Sequence, residues 1–391
     1  MLDFDTTNIN LGLERVSVAL EELGNPHLKF PAIHVAGTNG KGSVCAMTAS
    51  ILKETGYKIG LFTSPHLLKW NERIKVDGVD ISDEDFERLE ATIVRDIRGV
   101  RGQDSEPLLQ SISQHLPSIH QLTPFEVITC MAFQYFAEQK VDIAVIEVGM
   151  GGRLDATNVV KSIVTVITNI DFDHTRYLGD TIQKIAYEKS GIIKSGIPVV
   201  TAEQKTEALK VFRKVAVENL SPLHVVEPQS HEGKHIFEEE KYFLKLNLPI
   251  ILKVIDLLRD KKYLISDENL KEGITKTKWP ARFQIISRNP LTIVDGAHNP
   301  AGMKILKEFL LSLGMREKFT IVFGSQEDKD SNSMIDILSE ISDSIIEAQS
   351  SHPKAKKAPF TVKEAIQTAK AKGKPILITG SLFIAAEALI V

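Results

Sequence analysis

Short apolar runs alternate with longer amphipathic stretches along this chain, a pattern that predicts parallel strands joined by crossover helices. A strand is predicted at 33–36, followed by a glycine-rich turn and a helix at 41–55. Residues 142–148 are largely apolar and rich in Val and Ile, which is typical of a central parallel strand. Further strands of this sheet are predicted at 58–62, 163–168, 199–201 and 223–226, and further helices at 83–97, from 124 onward, at 205–219 and at 250–258.

The same alternation restarts after 278–283, a proline-containing segment that we interpret as a domain junction. Strands are predicted beyond it at 291–294, 319–323, 344–348 and 375–379, and helices at 300–313, 332–341, 361–372 and 381–390. We therefore predict an α/β protein with a doubly wound parallel-sheet domain at 1–283 and a smaller Rossmann-like domain at 284–391. Residues 100–122 show no clear period and are predicted to form a long loop.

Composition is that of an ordinary globular protein, with 391 residues, 43% hydrophobic and 25% charged. The formal net charge of −4 argues against a general nucleic-acid binder, which usually carries a basic excess. Cys45 and Cys130 form no CxxC pair, and we interpret both as buried thiols. The N-terminus is acidic where a signal peptide is basic, and no apolar run reaches about 18 residues. A cytoplasmic protein without a membrane segment is predicted.

A glycine-rich segment lies between the first predicted strand and helix, and consists of Gly37, Thr38, Asn39, Gly40, Lys41, Gly42 and Ser43. Glycines allow a tight turn that exposes backbone N–H groups to phosphate oxygens, and the helix start adds a favourable dipole. The spacing departs from the Walker pattern, because two residues rather than four precede the Gly-Lys pair. A plain strand–helix turn is the alternative. The strand context and Lys41 favour phosphate binding, and hence a P-loop-containing ATPase domain.

Four other segments carry candidate chemistry, and three of them follow predicted strands, where open α/β sheets bind ligands. Ser64 follows the second strand, Glu147 lies near the end of a buried strand, and His174 follows another; Lys189 lies at the end of a helix. Each alone has a structural interpretation, such as a paired buried acid or a satisfied loop histidine. Their placement beside a phosphate loop favours a Mg²⁺ site, although histidine is an unusual Mg²⁺ ligand.

The chain resembles the folylpolyglutamate synthase/dihydrofolate synthase family of the Mur ligase superfamily. The segments that carry this resemblance span nearly the whole chain in the family's order. They are GTNGKGS (37–43), TSPHL (63–67) with ERI (72–74), EVGMGGRLDATN (147–158), DFDHT (171–175), EKSGIIK (188–194), WPARFQ (279–284) and DGAHNP (295–300).

The resemblance implies a role for each matched residue. The backbone of 37–43 would cradle the ATP phosphates, and Lys41 would contact them. The implied Mg²⁺ ligands are Ser64, Glu147 and His174, with Lys189 carbamylated to serve a second metal site. Catalytic roles are thereby implied for Lys41, Lys189 and His174. The other implied contacts are Arg282 and Asp295 with ATP, Phe125 and Asp155 with the pterin, and His298 with the cleft between domains.

The implied reaction joins L-glutamate to dihydropteroate or a folate through an acyl phosphate formed from ATP. Small-molecule substrates, no nucleic acid, no membrane and a monomeric state follow from the same resemblance. Ser190 replaces a usual alanine, and Lys354 stands where an arginine follows His-Pro. Residues 244–253 are predicted to pass directly from strand to helix, which shortens a segment that supports adenine binding in the family.

Three alternatives remain open. Dihydropteroate, folate or both are candidate acceptors, and GGRLDATN favours dual activity. A Mur-type ligase for peptidoglycan precursors or another amino acid is disfavoured by Gly-Lys-Gly-Ser, where the cell-wall enzymes have Gly-Lys-Thr. A non-catalytic ATP-binding homologue is supported only by the shortened 244–253 segment.

Overall fold

The computed structural model describes residues 10–97, 122–227, 242–313 and 318–391. Contacts divide the chain into two compact units, of which the first contains residues up to 227 together with Pro249–Thr277. The second contains Lys278–Val391 and a short segment that ends at Leu248. The domain bounds predicted at 1–283 and 284–391 stay a prediction. None of the described helices combines the length and apolar character needed to cross a membrane.

The first unit is built on an eight-stranded sheet in the order β4-β3-β2-β5-β1-β6-β7-β8. Strands β2, β5, β1, β6, β7 and β8 are parallel, whereas β3 and β4 continue the sheet in antiparallel pairing. The strands are β1 (Ala32–Ala36), β2 (Ile59–Phe62), β3 (Ile74–Val76), β4 (Val79–Asp80), β5 (Ile143–Glu147), β6 (Ser162–Ile167), β7 (Val199–Thr201) and β8 (Leu223–Val225). Parallel neighbours end at one edge, so the loops after β2, β5, β1 and β6 lie along the same side.

Helices cover this sheet, and several begin at side-chain caps that the sequence makes visible. Thr123 caps one of them by accepting from the backbone N–H of Glu126, whose carboxylate accepts in return from the N–H of Thr123. The helices up to residue 276 are α1 (Glu14–Glu22), α2 (Lys41–Glu54), α3 (Asp83–Ile97), α4 (Pro124–Glu138), α5 (Thr175–Leu178), α6 (Ile182–Ser190), α7 (Thr206–Glu218), α8 (Tyr242–Asp260) and α9 (Asp267–Lys276).

The second unit contains a six-stranded sheet in the order β13-β12-β11-β14-β10-β9. Only β9 runs antiparallel to its neighbour; the other pairings are parallel. Its strands are β9 (Gln284–Arg288), β10 (Leu291–Val294), β11 (Phe319–Phe323), β12 (Ser342–Gln349), β13 (Phe360–Thr361) and β14 (Ile376–Thr379), and its helices are α10 (Pro300–Ser312), α11 (Ser331–Ser339), α12 (Val362–Lys370) and α13 (Leu382–Ala388).

The predicted fold class is confirmed, since both sheets are predominantly parallel and alternate with helices. Cys45 and Cys130 are buried free thiols, as predicted. The predicted strand within 244–253 is wrong, because the whole segment lies inside α8, which begins at Tyr242 and continues through Pro249. Proline disfavours a helix interior, which is why the pattern suggested a helix start at 250. The loop predicted at 100–122 falls almost wholly outside the described residues.

Helix α9 packs against α2 at a position without a side chain. A Cβ on Gly273 would lie 2.3 Å from Cα of Ile51 and 2.7 Å from its backbone nitrogen. The Ser50 hydroxyl also donates to the Gly273 carbonyl at 2.7 Å. The two helix backbones therefore approach too closely for any residue larger than glycine.

We predict that Gly273→Ala lowers the free energy of unfolding by about 1–3 kcal/mol, because the steric clash outweighs the gain in helix propensity of about 1 kcal/mol. Urea denaturation measures this change. Glu268→Ala, at an exposed position of the same helix, should stay within about 0.5 kcal/mol of the wild type. A Gly273→Ala variant as stable as the wild type would contradict the close packing.

Candidate active site

The predicted phosphate loop connects β1 to α2, and its conformation depends on two glycines. Gly40 has a φ of 84° at the start of α2, and Gly37 has a φ of 145°. A Cβ on Gly37 would lie 1.8 Å from Oγ1 of Thr168, the residue that follows β6. Glycine is therefore required at 37 both by conformation and by the neighbouring loop.

Hydrogen bonds join this loop to the segment that follows β6. The Thr38 hydroxyl accepts from the N–H of Asp171 at 2.9 Å and donates to the carbonyl of the same residue at 3.2 Å. The N–H of Asn39 donates to Oδ1 of Asn169 at 2.9 Å, and the Thr168 hydroxyl donates to the Asn39 carbonyl at 2.6 Å. The two loops form one hydrogen-bonded structure.

Two predicted lysines meet at the carbonyl oxygen of Gly37. Lys41 Nζ donates to it at 3.1 Å and to the Thr38 carbonyl at 3.3 Å, while Lys189 Nζ donates to the Gly37 carbonyl at 2.9 Å. Lys189 is buried. Burial, with a further contribution from the positive charge of Lys41, lowers the pKa of Lys189 to about 7. An appreciable fraction of this amine is therefore neutral near pH 7.

Ser64 and Glu147 lie next to each other at the ends of the parallel strands β2 and β5. Glu147 is the last residue of β5 and is only 4% exposed. Its Oε2 accepts from the backbone N–H of Ser64 at 3.0 Å. A buried carboxylate beside a serine at this edge provides the oxygen ligands that Mg²⁺ prefers.

His174 lies at the start of α5 with a φ of 48°. Its Nε2 is 3.9 Å from Oδ1 of Asp173, and its side chain is 37% exposed. Among the described residues, no three His, Cys, Asp or Glu side chains form a metal-sized cluster. Mg²⁺ commonly uses only one or two protein carboxylates and keeps several waters, so this donor set fits Mg²⁺ better than a metal that needs a full protein cage.

The glycine-rich loop after β5 contains the predicted acceptor-side residues. Asp155 is buried, and its carboxylate accepts from the backbone N–H groups of Met150 at 2.9 Å and Thr157 at 3.0 Å. Burial raises the pKa of Asp155. Phe125 packs on this loop, since a Cβ on Gly149 would lie 2.4 Å from its Cζ. The carboxylate therefore orders the loop, and its predicted contact with a pterin stays a prediction.

A buried polar chain extends from Asp155 into β1. Thr157 Oγ1 donates to Asp155 Oδ1 at 2.5 Å and is 2.9 Å from His34 Nε2. Because the threonine proton is used on Asp155, His34 must donate through Nε2, which leaves Nδ1 as a buried acceptor with no hydrogen-bond partner among the described residues. Burial, together with the charge of Lys194, lowers the pKa of His34 to about 3. His34 was not predicted from the sequence.

In the second unit, the structure brings Arg282, Asp295 and His298 close together in sequence and space. The buried carboxylate of Asp295 accepts from the N–H of Phe283 at 2.9 Å and of Ala297 at 2.8 Å. A Cβ on Gly296 would lie 2.7 Å from Nη1 of Arg282. Nδ1 of His298 is 3.0 Å from the Gly296 carbonyl. Asp295 thereby fixes the backbone beside Arg282, and the contacts of these residues with ATP stay predictions.

Other residues that support the site were also missed. The buried Glu203 carboxylate accepts from the N–H of Ile170, and Lys205 donates to the Ile170 carbonyl at 2.7 Å. Both follow the end of β7, a position that the strand-end rule could have singled out. Arg15 of α1 pairs with the buried Glu126 at 2.8 Å. No sequence signal marked that contact, because helix α1 was not predicted.

Two family models match the chain. The Mur ligase middle domain matches residues 102–239, and the Mur ligase glutamate ligase domain matches residues 281–387. The chain is 36% identical to dihydrofolate synthase/folylpolyglutamate synthase of Bacillus subtilis, covering 96% of this chain and 94% of that protein. It is 33% identical to folylpolyglutamate synthase of Lacticaseibacillus casei, covering 95% and 92%.

Solved structures of folylpolyglutamate synthases also superpose on this chain. Mycobacterium tuberculosis folylpolyglutamate synthase, complexed with ADP and AMPPCP, superposes with a TM-score of 0.84 at 27% identity over 97% of this chain and 95% of that one. E. coli FolC in complex with DHPP and ADP gives 0.83 at 30% identity over 99% and 94%. A structure described as an FPGS-AMPPCP-folate complex also gives 0.83 at 30% identity, over 98% and 96%.

The buried His34 predicts a pH-dependent stability. The unfolded chain binds a proton at His34 near pH 6.5, whereas the folded chain does not until about pH 3. Stability should therefore fall as the pH decreases below about 6.5, by about 2 kcal/mol between pH 7 and pH 5 from this residue. Urea unfolding at these pH values measures the change. His34→Gln cannot titrate and should lose this part of the dependence; equal pH slopes in both proteins would contradict the assignment.

Proposed function

Because the chain belongs to the folylpolyglutamate synthase/dihydrofolate synthase family of Mur ligases, we propose that it uses ATP to join L-glutamate to a pterin-linked carboxylate, either dihydropteroate or a folate. The observation that carries this proposal is the phosphate loop, with Lys41 and Lys189 at one carbonyl and Glu147 beside Ser64 at the same sheet edge. The family's relatives include structures with ADP, AMPPCP, DHPP and folate.

The reaction must make a carboxylate electrophilic. The carboxylate oxygen attacks the γ-phosphorus of ATP, ADP leaves, and an acyl phosphate forms. The amine of glutamate then attacks the carbonyl carbon, the tetrahedral intermediate loses orthophosphate, and the nitrogen gives up a proton. Such phosphoryl transfer requires mainly positioning and neutralisation of negative charge.

The nucleotide roles rest on the loop that begins at Gly37. Backbone N–H groups of residues 37–43 bind phosphate oxygens, and the ammonium group of Lys41 leaves its loop carbonyls to neutralise the terminal phosphate. Arg282 and Asp295 are further proposed ATP contacts. Phe125 and Asp155 contact the pterin-linked acceptor, and His298 is a further substrate-binding residue.

Mg²⁺ would be held by Ser64 and Glu147, with His174 as a further ligand, and when bound it supplies positive charge to the phosphates. Support comes from the buried Glu147 carboxylate next to Ser64. Lys189 would carry a carbamate: its amine attacks CO₂ and loses a proton, which converts a cation into an anion suited to a second metal. The EKSGIIK segment and the buried position of Lys189 support this modification.

We further propose that this one protein has both dihydrofolate synthase and folylpolyglutamate synthase activity. We also propose that it is cytoplasmic and monomeric. The GGRLDATN segment and the Bacillus subtilis relative, which bears both enzyme names, support dual activity.

We predict that Lys41→Ala lowers the rate of ATP-dependent ligation by at least about 100-fold without unfolding the protein, because the terminal phosphate loses its positive charge. The measurement is orthophosphate release with Mg²⁺-ATP, with and without glutamate, using dihydropteroate or tetrahydrofolate. Lys53→Ala, an exposed lysine of the same helix, should keep wild-type turnover.

Full turnover in Lys41→Ala would remove the assigned role of this lysine. Wild-type protein that releases no orthophosphate with any pteroate or folate would contradict the ligase itself and favour a non-catalytic homologue. Release that depends on a different acid would favour another Mur-type ligase.

Carbamylation of Lys189 predicts an NMR signal from the added carbon atom. Protein equilibrated with ¹³C-bicarbonate should show a carbamate carbon resonance in its NMR spectrum, and Lys189→Arg should lack it, because its guanidinium group does not react in this way. The signal should disappear on acidification, which returns CO₂. A wild-type spectrum identical to that of Lys189→Arg would leave Lys189 as an unmodified lysine.

A further inference from the structure

A buried arginine that the mechanism above does not use lies at the same sheet edge as Ser64 and Glu147. Arg73 immediately precedes β3, and its carbonyl accepts from the N–H of Thr63 at 3.0 Å. Because β3 pairs antiparallel with β2, Arg73 lies opposite the residue that follows the carboxyl end of β2. Thr63 therefore lies between Arg73 on one side and the end of β5 on the other.

The guanidinium group of Arg73 is fixed at one end only. The residue is 7% exposed, its Nε donates to His66 Nδ1 at 2.9 Å, and its Cζ lies 4.2 Å from the ring centroid of Trp70. Across the described ranges, neither Nη1 nor Nη2 donates a hydrogen bond to a protein atom. Two planar donors of a nearly buried cation are thus available for a ligand.

Two carboxylates whose charges act on this cation accept hydrogen bonds from backbone N–H groups. Glu72 accepts from the backbone N–H groups of Leu67, Leu68 and Lys69, and Glu147 accepts from that of Ser64. Both carboxylates act on Arg73 through charge and favour its charged form, and neither is among its hydrogen-bond partners in the described part of the chain. Burial lowers the pKa of Arg73 to about 10, so it remains a cation at neutral pH. A buried cation without an ion-pair partner favours an anionic ligand.

The side chains around Arg73 indicate which kind of anion it would bind. Trp70 and Phe125 are partly exposed members of one apolar cluster that also includes Phe62 and Ile74. Phe62 and Phe125 have ring centroids 6.0 Å apart. The phosphate loop, by contrast, follows β1, which β5 separates from β2, and it has its own cation in Lys41. Aromatic side chains beside a forked cation suit a flat aromatic acid better than a triphosphate.

We propose that Arg73 binds the carboxylate of the pterin-linked acceptor through its two terminal amino groups. This inference rests on the proposed ligase function and adds a binding residue to it. Arg73 would orient the carboxylate at the edge that carries Ser64 and Glu147. The stacking on Trp70 and the bond to His66 hold the guanidinium plane while its free edge receives the acid.

The test compares pteroate with its primary amide, which is similar in shape but uncharged and replaces one acceptor oxygen by an amino group, by titration calorimetry on the full chain. The wild type should prefer the acid by about 10- to 100-fold, and Arg73→Met should reduce this preference to within about threefold. Arg73→Lys should give an intermediate ratio, because lysine keeps the charge but lacks the planar fork. Arg88→Met, at an exposed arginine paired with Asp85 and Glu138, should keep the wild-type ratio.

The affinity for Mg²⁺-AMPPCP forms a second arm, and it should change less than about threefold in Arg73→Met. An unchanged acid-to-amide ratio in folded Arg73→Met overturns the proposal, as does a wild type that does not discriminate, or a selective loss of AMPPCP affinity. If Arg73→Met does not fold, Arg73→Lys decides by the same ratio. Orthophosphate release by the wild type tests the ligase function separately. If the wild type ligates glutamate but Arg73→Met keeps the wild-type acid-to-amide ratio, only the role of Arg73 is disproved.

Discussion

The contact between the loop after β1 and the loop after β6 is the constraint on which the candidate site depends. Gly37 has no room for a side chain because the Thr168 hydroxyl occupies that space, and Thr38 forms paired hydrogen bonds with the backbone of Asp171. This contact exists because β1 and β6 are parallel neighbours whose carboxyl ends lie at one edge. The position of the loop that would hold phosphates is therefore fixed relative to the loop that leads to His174.

A second consequence of this edge is an accumulation of cations at low exposure. Lys41 donates to the Gly37 carbonyl beside β1, and the buried Arg73 lies at the start of β3, with β2 and β5 between these two strands. Holding such cations together costs free energy unless an anion compensates them. Glu147 supplies one negative charge to the edge. An anionic nucleotide and an anionic acceptor would supply the rest, which is the physical reason why this site suits a reaction between a triphosphate and a carboxylate.

Much of the fold could be predicted from the sequence, because strands such as β5 are continuous apolar runs and helices such as α4 begin at a recognisable cap. The same logic predicts Ser64 and Glu147 at strand ends, whereas the pairing of β2 with β5 comes from the structure. Helix α8 was misjudged because it continues through Pro249, against the local preference of that residue. The chain from His34 through Thr157 to Asp155 joins residues more than a hundred positions apart, and no local pattern encodes such a contact.

Two glycines, one in the loop after β5 and one at the end of α6, show how the proposed acceptor side packs against Lys189. A Cβ on Gly152 would lie 3.0 Å from the carbonyl oxygen of Lys189, and one on Gly191 would lie 2.2 Å from Cβ of Arg153. The N–H of Arg153 donates to the Glu188 carbonyl at 2.7 Å, and Asn158 Nδ2 donates to the carbonyls of Arg153 and Gly191 at 3.0 Å each. The loop after β5 and the end of α6 are therefore held together by close packing and by hydrogen bonds. Since Lys189 at that end contacts Gly37, the proposed acceptor side and the proposed phosphate loop are joined by a continuous series of close contacts.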